Sequence, residues 1–229
     1  MRVVLAAAVL ILGGAACAGA RATPDSDASS AIEIRAVAER YLNALAGRGD
    51  DSGRDLLLGG ATTNARIFSL ENWQIVGEQP ARHEEADVAL AAKLVAELDE
   101  ASRVAMAGLM TPSGGAEAVS VEQITPEVAA QLMGPTQARA DQLVAAVPVM
   151  AYVLRVGKSV YWNPANPARA LLANAAAGPY VLDLFWFEVE TKEGPRQVAR
   201  RWPLRVLRFK TAQLDTGWKI LPESDWNAE

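Results

Sequence analysis

A carboxylate set in the middle of an apolar run is the residue of this 229-residue chain whose setting most suggests chemistry. Asp183 stands in Val181-Leu182-Asp183-Leu184-Phe185-Trp186-Phe187, a segment whose aromatic and β-branched content reads as a strand. At a period of two, Asp183 shares a face with Phe185, Phe187 and Val189, the more apolar of the two faces. A carboxylate held there loses water, and desolvation would raise its pKa toward the range of a general acid or base. The competing reading is an aspartate near a strand end that reaches solvent or pairs with an arginine. That reading is favoured, because buried carboxylates are usually paired.

Other chemistry is thinner. His83 is the sole histidine, within Arg82-His83-Glu84-Glu85 at an expected helix start, and no nucleophile elbow accompanies it. A structural or exposed histidine is the favoured reading. One histidine, and no cysteine once a leader is removed, argue against an ordinary zinc site. No phosphate-binding glycine loop is visible, and no cofactor is implied. Arg196, Arg200, Arg201, Arg205, Arg208 and Lys210 make one strand basic, either as a groove for an anion or as cross-strand partners of Glu188, Glu190 and Glu193. The second reading is favoured, with Arg201 stacked on Trp186. Tyr161, Trp162, Trp202 and Arg200 are the ligand-binding candidates, with core packing the rival account of the aromatics.

The elements that must position these residues follow from pattern. Tyr180–Thr191, Pro195–Lys210 and Gly217–Leu221 read as three consecutive strands. A two-residue Glu193-Gly194 loop would place Asp183 opposite Leu204, Phe185 opposite Trp202 and Val189 opposite Val198, with this face toward the core. Pro203, which cannot donate to a ladder, predicts a bulge. Upstream, helical spacing predicts a helix over Ala31–Leu45, a short one over 51–58, and a long one over His83–Leu109. Asn72–Val76 reads as a strand. Thr125-Pro126-Glu127 opens a helix that Gly134-Pro135 should end, and a second helix follows over Thr136–Val147. Val149–Val156 reads as a strand, and Ala168–Ala176 as a short helix. The fold class is α+β: a curved antiparallel sheet packed on an N-terminal helix, with a helical insertion.

The N-terminus has the parts of an export signal. Arg2 is basic, Val3–Leu12 is an apolar run, and small residues follow. Such a run spans only ~15 Å of helix, too short to cross a bilayer. Gly13-Gly14-Ala15-Ala16-Cys17 resembles the lipobox of bacterial lipoproteins, departing from it at Gly14, where leucine is commonest. The resemblance implies a signal peptide over 1–16, lipidation of Cys17 with palmitate-type acyl chains, and a protein anchored to the cell membrane or outer membrane, facing the periplasm. The alternative is cleavage after Ala20, within Ala18-Gly19-Ala20, which yields a soluble secreted or periplasmic protein. Residues 17–30 read as a flexible tether, 31–222 as a single domain with its helical insertion at 77–149, and 223–229 as a polar tail. The net charge of −5 does not favour nucleic acid as a partner.

The helix leading into Tyr41-Leu42-Asn43-Ala44-Leu45-Ala46-Gly47-Arg48-Gly49-Asp50, and the close on long strands ending in Gly217-Trp218-Lys219-Ile220, resemble the nuclear transport factor two-like superfamily. The superfamily includes ketosteroid isomerase and scytalone dehydratase. The resemblance covers Ala31–Val76 and Met150–Leu221. It implies a cone-shaped α+β fold with a pocket at its wide end, which Asp183 would enter. The expected function is a non-catalytic binding or structural module of the cell envelope, holding an apolar small molecule or an envelope protein. One alternative is a small cofactor-free isomerase or dehydratase using Asp183. The other is an envelope assembly factor docking through its helical insertion.

Overall fold

The computed structural model describes residues 28–48, 53–58, 72–110, 125–156, 167–174, 178–193 and 198–221. The leader with Cys17, and Tyr161 and Trp162, lie outside them. Among the described residues the fold is α+β, with five helices and an open four-stranded antiparallel sheet in the order β1-β2-β3-β4. The elements are α1 (Ala28–Leu45), β1 (Asn72–Asp87), α2 (Val88–Met110), α3 (Pro126–Ala146), α4 (Pro148–Val156), α5 (Pro167–Asn174), β2 (Pro179–Glu193), β3 (Val198–Lys210) and β4 (Lys219–Ile220). A single 3-10 turn, Arg54–Leu56, follows α1.

Each face of the sheet is covered over part of its length. On one, Tyr180, Leu182, Leu184, Leu207 and Phe209 pack with α2, α3, α4 and α5. On the other, Phe187, Val189, Trp202, Leu204 and Val206 pack with Ile34, Ala38, Tyr41 and Leu42 of α1. Each large side chain so buried contributes roughly 1.5–3 kcal/mol. The expectation of one core face is thereby corrected, since a strand buried on both sides reads as a nearly continuous apolar run. The β2–β3 register also differs from the expected one. Asp183 faces Arg208, Phe185 faces Val206 and Val189 faces Trp202. The strands end at Glu193 and resume at Val198, so the shift is four residues. An even shift leaves every side chain on its expected face.

No bulge forms at Pro203, which keeps an unbroken register opposite Glu188. Among the described residues β3 pairs with β4 through Val206 and Leu207 and none pairs with Pro203 on that side, an edge position where a missing N–H is tolerated. The register breaks fall in β1 instead, between Ile75 and Gly77 and between Gln79 and Arg82. Pro80 and Ala81 together oppose Phe185 at the second break, the two-against-one geometry that bends and twists a strand. Past it, β1 continues to Asp87, so His83 lies in a strand rather than at a helix start.

Two further expectations are revised. Pro135 does not divide the segment after Thr125 into two helices. It sits inside α3, whose first turn is capped by Thr125 as expected. α2 and α3 pack closely, and a Cβ on Gly108 would come within 2.8 Å of Leu132 Cδ2. Glu97 and Arg139 bridge the pair at 3.0 Å. The run Val149–Val156 is helical, not extended: it forms most of α4, with Val149, Met150, Ala151, Val153 and Leu154 all buried. Asp99 of α2 forms a two-pronged ion pair with Arg169 of α5, closing the helical layer. Among the described residues no helix is long and apolar enough to cross a membrane.

Candidate functional site

The sequence placed Asp183 and His83 100 positions apart and assigned them separate fates. The structure joins them. In β1–β2 pairing they are direct cross-strand partners, and His83 Nδ1 lies 2.7 Å from Asp183 Oδ1. The Pro80–Ala81 bulge sets this register, because without the extra residue His83 would turn to the other face. An Nδ1–H donated to the carboxylate leaves Nε2 as the acceptor, the arrangement of a base oriented by an acid. Glu85 Oε1 stands 4.0 Å from Nε2.

A third strand adds a cation. Arg208 of β3 is the partner of Asp183 on its other side, and its guanidinium is committed to Asp215 by two bonds of 2.9 and 2.6 Å. Asp215 also accepts from Gly217 N–H at 3.0 Å, in a turn where Gly217 has φ near 60°. These bonds, that from Arg208 foremost, hold the Asp215 carboxyl down at about 2. Glu33 of α1 also acts on Arg208 through its charge. The result is a polar strip, His83–Asp183–Arg208–Asp215, running across three strands and into the turn after β3.

The desolvation that would tune Asp183 for catalysis is not met. Its side chain is 33 % exposed and that of His83 31 %. Neighbouring Phe187 and Val189 on the same face are sealed under α1. The site therefore has a hydrogen-bonded acid–base pair at a solvent margin, on a face that α1 packs against further along the strands. Among the described residues no group of three or more His, Cys, Asp or Glu side chains is placed to hold a metal ion.

The other candidates separate. Trp202 is 9 % exposed and belongs to the α1-facing core, so packing accounts for it. Arg200 is exposed and stands opposite Thr191 on β2. Arg201 is bound across the sheet, its Nε donating to Glu190 at 2.9 Å with Glu188 at 3.9 Å, as the cross-strand reading expects. The expected stack of Arg201 on Trp186 is replaced: the guanidinium over that ring is Arg82, 4.6 Å from its centroid.

Glu84 escaped the sequence reading altogether. It is 7 % exposed, and three donors converge on it: Val149 N–H at 2.7 Å, Met150 N–H at 3.2 Å and Tyr180 O–H at 2.6 Å. The two amides belong to the first turn of α4, so a strand carboxylate fills the role of a helix cap and meets the positive end of the helix dipole. Burial, then the bond to Glu84 and its charge, push the Tyr180 hydroxyl well above the ordinary tyrosine range. The local signal was a doublet, Glu84-Glu85, whose members point to opposite faces once the segment is known to be a strand.

Compared with family models, curated proteins and solved structures, the chain matches none.

Proposed function

We propose that the protein is a non-catalytic binding or structural module of the cell envelope, tethered through an acylated Cys17. The observation that carries the non-catalytic part is that the chain's own helices pack on both faces of the sheet, over Tyr180, Leu182 and Leu184 on one and over Phe187 and Val189 on the other. The face bearing Asp183 is packed under α1, and the carboxylate lies at its wet margin. The tether rests on the resemblance of Gly13–Cys17 to a lipobox. A membrane-proximal module with a flexible leash would then present its surfaces to envelope components. Two measurements test this. Mass spectrometry of the processed protein is expected to show acyl mass on Cys17, and Cys17→Ser is expected to move the protein to the soluble fraction. A broad panel of small substrates is expected to give no turnover that Asp183→Asn abolishes. Turnover lost in a folded Asp183→Asn variant contradicts the reading.

A second reading has one observation in its favour, the 2.7 Å bond between His83 and Asp183. An imidazole oriented by a carboxylate is the standard device for proton transfer. On that reading the protein is a small cofactor-free enzyme of isomerase or dehydratase type. A chain of this fold that resembles the nuclear transport factor two-like superfamily would support it. Turnover that falls together in His83→Gln and Asp183→Asn is the outcome that would establish it.

A further inference from the structure

We draw no further inference here: the strongest candidate, the surface patch on the α2–α3 pair where Val104 and Met106 of α2 and Val128 of α3 are exposed, carries none, because nothing in the structure shows what covers it.

Discussion

His83 and Glu84 are neighbours in β1, yet they meet opposite fates. Glu84 points under the helical layer, where it is sealed from water and takes donors from α4 and Tyr180. His83 points to the α1 face, where it pairs with Asp183 and keeps about a third of its surface. Strand geometry alone separates them, since successive side chains alternate between faces. What differs is the cover. Four helices close the face to which Glu84 points at this end of the sheet, over Tyr180, Leu182 and Leu184, whereas α1 covers the opposite face only further along, over Phe187 and Val189. A polar group under the closed layer must be fully bonded, and so it organises the fold. A polar pair at the open margin can exchange its bonds with water, and so it adds little to stability.

That contrast can be broken by mutation. Glu84→Ala is expected to have the largest effect, a destabilisation of about 3–5 kcal/mol in urea unfolding, because it orphans two amides and a hydroxyl inside the core. A loss under about 1 kcal/mol would show that water reaches the site and that the two faces are alike.

Alkaline unfolding is next. Burial raises the Tyr41 hydroxyl to about 12 and raises that of Tyr180 as well. A tyrosine whose folded pKa lies above its unfolded value of about 10 keeps its full contribution below that value. The contribution is lost as pH rises through the folded pKa, because the unfolded chain ionises first. Stability should therefore be flat to about pH 10 and fall above it, with the 295 nm phenolate absorbance of these residues appearing only as the chain unfolds.

The acid side probes the open margin. Asp215, held at about 2 against an ordinary 3.8, contributes fully above the higher value, and the contribution is lost as pH falls through the lower. Its 37 % exposure screens the pair, so the loss should be only about 1 kcal/mol. Arg208→Gln should flatten that segment of the pH profile. The smallest effect sits deeper on the same α1-covered face. Trp73 and Thr191 are cross-strand partners, and both Trp73 Nε1 and Thr191 Oγ1 are buried without a hydrogen-bond partner. Thr191→Val removes one orphan at constant shape, so it should change stability by no more than about 0.5 kcal/mol, and in the stabilising direction. A loss of more than about 1 kcal/mol would show that the hydroxyl is bonded, through an ordered water.

Much of the α+β frame was legible. The aromatic and β-branched content of Tyr180–Val189 marked β2, and Thr125-Pro126-Glu127 marked the start of α3. Even with the β2–β3 register displaced by four, side-chain faces were correct, because the displacement is even. The far half of β1 was hidden because the Pro80–Ala81 bulge interrupts alternation, and the charged run after it mimics a helix start. α4 was mistaken for a strand because a short helix buried on most sides shows no polar stripe. For the site, Asp183 was visible as a misplaced charge, but its partner was not. The pairing with His83 depends on a register that the bulge sets, and Glu84 is bonded to amides 65 and 66 residues away. Likewise Arg82, Arg155 and Arg205, which gather around the Tyr152 ring, come from β1, α4 and β3, so no local window contains them.

The central claim is that Glu84 holds the fold while Asp183 is peripheral to it, and one measurement compares them. Urea unfolding of Glu84→Gln and Asp183→Asn at neutral pH, side by side with the parent chain, reads both near-isosteric changes on one scale. The account predicts a loss of about 2–4 kcal/mol for the first and under about 1 kcal/mol for the second. Equal losses, or a larger one for Asp183→Asn, would contradict it.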